Sequence, residues 1–181
     1  MKIRDLAIPE LKLVEPCVFS DDRGAFMETY NERTMAELGL PTSWVQDNYS
    51  ISKRNVIRGV HYQLMHPQGK LVRVVVGCVR DVAVDLRKSS PNFGKYVAVE
   101  LSDSNNYMFW IPPGFGHGFA ALSDQVGIAY KTTDFYDPQG ERTIRFDDPD
   151  IAIDWLISAR DAIVSTKDRE GRFLKDAEVF A

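Results

Sequence analysis

The chain has 181 residues, of which 44% are hydrophobic and 27% are charged, and its net charge at pH 7 is −4. This size and balance predict one globular domain over residues 1–181 with a full apolar core. A net acidic chain is not typical of nucleic-acid-binding proteins, which present a basic face, although a local cluster of cations can still surround one small anion.

The apolar stretches and the cysteines of the chain indicate its cellular compartment. No stretch approaches the ~20 apolar residues of a membrane span, and the first residues lack the apolar segment of a signal peptide. Cys17 and Cys78 lie far apart, without a second cysteine or a histidine at metal-ligand spacing, which predicts two buried thiols. We therefore expect a cytoplasmic protein in a reducing compartment, with no membrane partner.

The first part of the chain is predicted to be extended, with one short helix. Loose alternation over residues 2–20 indicates extended chain, residues 21–24 have the composition of a turn, and residues 25–30 that of a strand. Asn31 is a good N-cap for a helix over residues 32–38, and Gly39 followed by Pro41 ends it.

From residue 43 onward the pattern is almost entirely β. Short β-forming runs recur between turn signals at residues 44–51, 56–64, 70–76, 78–86, 96–101, 107–111, 117–122, 127–132 and 143–146. Such strands are typical of a sandwich or barrel, and a jelly roll fits best. After residue 150 the pattern is mixed: residues 158–163 suggest a short helix, and Ser165 with Asp168 three positions later suggests a helix cap.

Several central strands carry hydrogen-bonding side chains on one face and apolar side chains on the other. The polar positions are Gln46, Asn48, His61, Gln63, Asp81, Asp85 and Tyr130. These are amide, imidazole, carboxylate and phenol groups, not the mixture of lysine and glutamate that covers a solvated face. The pattern therefore predicts a barrel with a polar pocket inside it.

Metal and cofactor motifs are missing from this predicted pocket. A jelly-roll metal site would need something like a His-x-His pair, but the residue two positions after His61 is Gln63, and the chain has only three histidines. There is no P-loop and no GxGxxG, and residues 114–118 are expected to form a tight turn between strands. We expect neither a metal nor a cofactor.

Without a metal or cofactor motif, the polar residues of the predicted pocket favour acid–base chemistry. An imidazole such as His61 titrates near pH ~6.5 and can take up a proton when a carboxylate orients it. Lys70 can stabilise negative charge on an oxygen, and Tyr130 can donate a proton from the opposite side. Taken singly, each of these residues is better explained by structure, but together they suit proton removal and return beside a carbonyl. The candidate orienting carboxylates are Asp81, Asp85 and Asp168.

Six segments stand in order along the chain: FSDDRGAFME (19–28), QDNYS (46–50), RGVHYQ (58–63), KLV (70–72), DVAVDLR (81–87) and IPPGFGHGF (111–119). Together they resemble the dTDP-4-dehydrorhamnose 3,5-epimerase family over nearly the whole chain, from Phe19 to Asp168. The resemblance implies an all-β, cupin-type jelly-roll barrel with an N-terminal extension and short helices at the periphery and C-terminus. It also implies a metal-free homodimer that exchanges N-terminal strands.

The resemblance further implies an enzyme of dTDP-L-rhamnose biosynthesis, which inverts carbons 3 and 5 of dTDP-4-dehydro-6-deoxy-D-glucose. It implies that His61 is the base and Asp168 its orienting carboxylate. Lys70 would then stabilise the enolate at the 4-keto oxygen, and Tyr130 would protonate from the other face. The residues implied to hold the nucleotide and sugar are Arg23, Glu28, Gln46, Asn48, Arg58, His117, Glu141 and Lys167.

Among the residues that the resemblance assigns to binding, Arg23 and Glu28 are implied to reach into the partner's site. Arg23 and Arg58 are implied to meet the diphosphate, where a planar guanidinium suits paired oxygens. One geometric condition follows for Arg58 and His61, which are three residues apart, so that a regular strand would point them to opposite faces. Both reach the pocket only if the strand bulges, and Gly59 is where we expect the bulge.

Three other functions stay open at this point. An epimerase that acts at one carbon only would share the same side-chain spacing. A non-catalytic cupin that binds a nucleotide sugar or a polyol as a sensor would not need His61, Lys70 and Tyr130 together. A metal-dependent cupin would need the missing His-x-His pair.

Overall fold

The structure is a computed structural model that describes all residues from 1 to 181. The strands are β1 (Lys2–Asp5), β2 (Lys12–Glu15), β3 (Val18–Asp21), β4 (Gly24–Met27), β5 (Gln46–Lys53), β6 (Val56–Gln63), β7 (Lys70–Val76), β8 (Cys78–Asp85), β9 (Tyr96–Ser102), β10 (Met108–Ile111), β11 (Phe115–Ala121), β12 (Gln125–Thr132), β13 (Glu141–Thr143) and β14 (Ile163–Val164). The helices are α1 (Glu32–Glu37), α2 (Thr166–Arg169) and a 3-10 helix at Leu174–Asp176. None of them has the length and the apolar character that crossing a bilayer requires.

Two six-stranded sheets and one separate hairpin make up the fold. The first sheet has the order β1-β2-β10-β7-β12-β5, and the second has the order β13-β6-β11-β8-β9, with β14 also paired to β6. Only the β14–β6 pairing is parallel among the strand pairs. The expected all-β jelly roll with short peripheral and C-terminal helices is confirmed.

Apolar side chains form three layers around these sheets. Between the sheets lie 17 buried residues, among them Phe109 and Ile128 from the first sheet and Phe119 from the second. Helix α1 covers the outer face of the first sheet through Met35, and the C-terminal segment covers the outer face of the second through Trp155. Fully burying one large apolar side chain contributes about 1.5–3 kcal/mol, so both outer layers are integral to the fold.

Helix caps agree with the sequence. The side chain of Asn31 accepts a hydrogen bond from the Thr34 N–H at the start of α1. The hydroxyl of Ser165 accepts one from the Asp168 N–H at the start of α2. The second cap fixes the backbone of α2 and hence the position of Asp168.

The expected tight turn over residues 114–118 is wrong, because β11 already begins at Phe115. Gly116 and Gly118 are required by close packing, not by a turn. A Cβ added to Gly116 would lie 2.4 Å from a methyl carbon of Val60, and one added to Gly118 would lie 2.7 Å from the carbonyl oxygen of Arg58. The sequence pattern therefore reflects the close approach of β11 to β6.

Other expectations are also corrected. The helix expected over residues 158–163 is absent, since the Ser158 hydroxyl caps a turn by accepting a hydrogen bond from the Asp161 N–H, and the chain then enters β14. The strand expected at residues 143–146 is β13, which ends at Thr143. The two thiols are not buried: Cys17 is exposed and Cys78 is half-buried, and both are free.

Strand β6 bulges at Gly59, as expected. His61 pairs with His117 and Arg58 pairs with Phe119, so that three steps along β6 match two steps along β11. The extra residue reverses the alternation of side chains. Arg58 and His61 therefore lie on the same face of the second sheet.

Replacing Gly59 with alanine should strongly destabilise the protein. The new Cβ would lie 2.5 Å from the Cα of Gly118 and 2.6 Å from the carbonyl oxygen of His117, and the φ of +110° disfavours any side chain. We expect the free energy of unfolding, measured in urea, to fall by about 3 kcal/mol or more. Gly39→Ala is the matched control, because its φ is +70° but nothing lies within 4 Å of the added Cβ. It should cost about 1–2 kcal/mol, and equal losses would refute the role of close approach.

Candidate active site

The first sheet supplies one wall of a polar space between the sheets. On β12, Tyr130 lies between Asn48 of β5 and Val72 of β7 in the strand register. Two residues further along β12, Thr132 has the same orientation as Tyr130. It lies between Gln46 of β5 and Lys70 of β7. Period-two alternation thus places an amide pair, a phenol and an ammonium group on one face.

The second sheet supplies the facing wall. His61 on β6 lies opposite His117 on β11, and Glu141 on β13 lies opposite Gln63 at the end of β6. All four positions are polar, and the sequence predicts the strand positions of His61 and Gln63 correctly. The amide of Gln63 serves the structure by bonding three backbone groups of the neighbouring loops.

His61 is paired with a buried carboxylate. Its Nε2 lies 2.6 Å from Oδ1 of Asp168, which is 3% exposed. The other oxygen of Asp168 accepts a hydrogen bond from the Gly59 N–H at 3.4 Å. Burial acts to raise the pKa of Asp168, but the contact with His61 and the Gly59 and Ser165 hydrogen bonds outweigh it and hold the pKa below its usual range. Asp168 is therefore ionised at neutral pH.

The remaining candidate carboxylates have other partners. Asp81 Oδ1 lies 2.8 Å from Nε2 of His117, and both residues are buried. Asp85 accepts hydrogen bonds from the Arg87 guanidinium at 2.7 Å and from the Ser90 hydroxyl at 2.6 Å. Only Asp168 contacts His61 among the three carboxylates that the sequence left open.

Lys70 is a half-buried cation without an ion pair. Burial lowers the pKa of its ammonium group to about 8, although the charges of Glu141 and Asp81 act in the opposite direction. The Nζ atom makes no hydrogen bond, yet it is not sealed from solvent. The group is thus placed to interact with an anion that enters the space between the sheets.

Tyr130 and Arg58 come from facing walls. Burial raises the pKa of the Tyr130 phenol, against the opposing effect of the Arg58 charge, so that the phenol is protonated at neutral pH. The Arg58 guanidinium donates to the Ser52 hydroxyl at 3.1 Å and to the Ile51 carbonyl at 3.2 Å. Arg58 of the second sheet therefore contacts β5 of the first sheet, the strand that pairs with β12 at Tyr130.

A network of side chains forms the rim. Gln46 donates to Asn48 at 2.8 Å and accepts from the Tyr136 N–H at 3.0 Å. The Tyr136 hydroxyl and the Lys167 ammonium both donate to one oxygen of Glu141. Burial acts to raise the pKa of Glu141, but these two donors bring it below its usual value. The rim joins β5, β13, the loop after β12 and α2.

Sequence reasoning missed Tyr136. Its side chain is 51% exposed, and its neighbour Phe135 is 63% exposed, in the loop after β12. Two adjacent aromatic residues in a polar loop ahead of Pro138 are the signal that could have pointed to it. The exposed ring stands at the edge of the space that holds Tyr130 and His61.

Arg23 and Glu28 form no hydrogen bond or ion pair with the other predicted site residues. Arg23 donates to Asp21 at 2.6 Å within the β3–β4 hairpin. Glu28, just after β4, accepts from the Asn31 side chain at 3.0 Å. The hairpin forms a two-stranded sheet of its own. The other ten predicted site residues lie on β5, β6, β7, β11, β12, β13 and α2.

No group of three or more histidine, cysteine, aspartate or glutamate side chains is arranged to hold a metal ion. The arrangement instead offers an imidazole backed by a carboxylate, a cation and a neutral phenol. These groups can remove a proton, stabilise the resulting oxyanion and return a proton.

Known proteins resemble this chain over nearly its whole length. The dTDP-4-dehydrorhamnose 3,5-epimerase family model matches residues 5–176. An enzyme of that name from Pseudomonas aeruginosa is 52% identical over 99% of both chains. The structure of a 3,5-epimerase from Legionella pneumophila with dTDP-4-keto-L-rhamnose has a TM-score of 0.94, with 45% identity over 98% of this chain and 94% of that one.

A more distant relative from Streptomyces niveus, named dTDP-4-dehydrorhamnose 3-epimerase, is 36% identical over 98% of this chain and 86% of its own length. Its name differs from that of the Pseudomonas enzyme in the number of carbons inverted, and its identity is lower. The cupin jelly roll is common to this chain and its structural neighbours. A family model that matches nearly the whole chain, together with a full-length relative of half-identical sequence, shows that this chain belongs to the dTDP-4-dehydrorhamnose 3,5-epimerase family.

Proposed function

We propose that this protein is an isomerase that inverts carbons 3 and 5 of dTDP-4-dehydro-6-deoxy-D-glucose to give dTDP-4-dehydro-L-rhamnose, in dTDP-L-rhamnose synthesis. The relatives that share half of its sequence carry this activity in their names. The observation that carries the proposal is the His61–Asp168 pair on one wall facing Tyr130 and Lys70 on the other. The reaction needs no cofactor, because it only moves protons.

His61 is the base in this proposal. Ionised Asp168 accepts the Nε2–H of the ring, which leaves the lone pair on Nδ1. This Nδ1 makes no hydrogen bond and is not sealed from solvent, so it can meet a substrate proton. Removing the proton next to the ketone places negative charge on the 4-keto oxygen, where the Lys70 ammonium stabilises it.

The two inversions share one set of residues. Carbons 3 and 5 flank the same ketone, so one cation at its oxygen serves both deprotonations. Tyr130 returns the proton from the wall opposite His61, which produces inversion instead of simple exchange. Moving the sugar ring between the two steps lets the same pair act twice.

The nucleotide binds along the rim. Arg58 meets the diphosphate, and Gln46, Asn48, His117, Glu141 and Lys167 contact the sugar and nucleoside. The exposed ring of Tyr136, held by Gln46 and Glu141, offers a flat surface on which a base can stack. The positive charge needed for an anionic ligand is therefore local, in a chain whose net charge is −4.

Incubation with dTDP-4-dehydro-6-deoxy-D-glucose in heavy water tests the activity. Deuterium at carbons 3 and 5 is the expected result, with dTDP-L-rhamnose formed once a reductase that acts on the 4-keto group is added. Deuterium at one carbon only would establish a single-carbon epimerase. Binding without any deuterium would establish a non-catalytic nucleotide-sugar protein.

Tyr130→Phe should separate exchange from inversion. The variant keeps the ring but lacks the proton donor, so we expect deuterium exchange to persist while the rate of inversion falls by about 10²-fold. Nuclear magnetic resonance of the sugar measures both rates in one sample. Equal loss of exchange and inversion would contradict the assignment of base and acid to opposite faces.

We further infer a homodimer that exchanges N-terminal strands, with Arg23 and Glu28 acting in the partner's site. The β3–β4 hairpin pairs with no other strand and leaves Phe19 64% exposed and Phe26 72% exposed. An isolated two-stranded hairpin is marginally stable in water, and exposed aromatic rings on it favour a covering partner.

The free cysteines support a cytoplasmic location.

A mixing experiment tests the exchange. Arg23→Ala and His61→Asn should each be inactive alone, but a mixed dimer would contain one site built from Arg23 of one chain and His61 of the other. Unfolding and refolding the two together should therefore restore up to about a quarter of wild-type activity. No recovery from a mixture shown to contain mixed dimers would contradict the exchange.

A further inference from the structure

One buried carboxylate oxygen in the second wall lacks a partner. Asp81 on β8 is 0% exposed, and its Oδ2 makes no hydrogen bond. Such an atom is costly to bury, since an unsatisfied charged acceptor loses its hydration without replacement. Asp81 is the one carboxylate of the chain with an oxygen in this state.

Its other oxygen holds His117. Oδ1 lies 2.8 Å from Nε2 of the imidazole, which is 9% exposed and lies opposite His61 in the register. Nδ1 of His117 makes no hydrogen bond and is not sealed from solvent. Of the two neutral tautomers, a carboxylate at Nε2 favours the one with the proton on Nε2, which leaves Nδ1 as an acceptor.

We propose that Asp81 is a positioning residue for the epimerisation: it fixes His117 as a neutral hydrogen-bond acceptor for a sugar hydroxyl and supplies the negative charge that balances Lys70. This inference rests on the proposed function. It assigns His117 to the sugar, because a neutral ring with an unprotonated Nδ1 accepts from a hydroxyl and does not donate to a phosphate.

The two charges near Lys70 come from different strands. Glu141 on β13 and Asp81 on β8 both favour its protonated form. Glu141 already accepts hydrogen bonds from Tyr136 and Lys167 at the rim. Asp81 has a free oxygen and no cationic partner, so its negative charge favours the protonated ammonium group in the same direction as that of Glu141.

Asp81→Asn tests the inference with two readouts. An amide can donate to Nε2, which favours the opposite tautomer, so we expect kcat/KM to fall by about 10²-fold or more. Loss of the negative charge should also move the alkaline limb of kcat/KM to lower pH by about half a unit or more. Nitrogen-15 resonances of His117 should show Nε2 protonated in the wild type and Nδ1 protonated in the variant.

Asp85→Asn is the matched control. Asp85 is equally buried on the same strand but bonds Arg87 and Ser90, so its loss should lower stability while the His117 tautomer and the alkaline limb stay unchanged. An active Asp81→Asn variant with wild-type tautomer and pH profile would overturn the inference. If the variant does not fold, a wild-type spectrum with Nδ1 of His117 protonated would overturn it as well.

The wild-type protein separates this inference from the proposed function. Absence of deuterium at carbons 3 and 5 in the wild type would refute the function. Deuterium in the wild type, with no effect of Asp81→Asn, would refute only the role of Asp81.

Discussion

Asparagine in place of His61 should remove deuterium incorporation at both carbons and lower kcat/KM by about 10³–10⁴-fold. The amide fills a similar volume but has no basic nitrogen, and Asp168 at 2.6 Å would lose the imidazole that it orients. Because carbons 3 and 5 flank one ketone and we propose one histidine as the base for both, exchange at both should fall together. Mass spectrometry of the recovered sugar after incubation in heavy water measures the two labels separately.

Asp168→Asn should cost nearly as much, since an amide at Nε2 no longer selects the tautomer with a free Nδ1. The double variant should be little worse than either single variant, because the two residues act as one unit. His66→Asn is the control: this histidine lies in an exposed loop, 3.4 Å from Asp134. A His61→Asn variant that still exchanges one carbon at the wild-type rate would require a second base and would refute the shared mechanism.

Lys70→Met should lower kcat/KM by about 10²–10³-fold, because the proposed enolate oxygen would lose the cation that stabilises it. A second expectation concerns pH. Burial lowers the pKa of Lys70 to about 8 in the free protein, and the stabilising form is the protonated one. Activity is therefore present below this pKa, and kcat/KM should decline as the pH rises through about 8.

Lys70→Arg separates charge from shape. A guanidinium stays charged across the accessible pH range, so the alkaline decline should move upward even if the overall rate falls. Lys131→Met is the control on the neighbouring strand β12, where the ammonium group pairs with Asp47 at 3.0 Å. An alkaline limb that is unchanged in Lys70→Arg would mean that another group titrates near pH 8.

Local patterns determined most of the strands. Strand β7 runs from Lys70 to Val76 as predicted, because a β-branched run is bounded by Gly69 and Gly77. The predicted start of strand β11 is two residues too late, since Gly114, Gly116 and Gly118 look like a turn in the sequence. The glycines at 116 and 118 instead admit neighbouring strands, a requirement set by tertiary packing that no local pattern reveals.

The residues of the site were predictable in kind but not in pairing. His61 could be singled out as a polar group among β-formers, yet Asp81, Asp85 and Asp168 were equal candidates for its partner by residue type. The contact joins residues 107 positions apart, and such a separation leaves no periodic signal. The assignment of Asp168 came from family resemblance, and the structure places its carboxylate against His61.

The distance between His61 and Asp168 along the chain also sets the order in which they appear during synthesis. All strands of the two central walls up to β13 precede Asp168 along the chain, so a nascent polypeptide that has emerged only as far as β13 already contains His61, Lys70 and Tyr130. Its imidazole has no carboxylate to orient it until α2 follows. A ribosome-bound chain that ends at β13 therefore contains the imidazole without its carboxylate, and the His61–Asp168 contact forms only when the C-terminal segment docks.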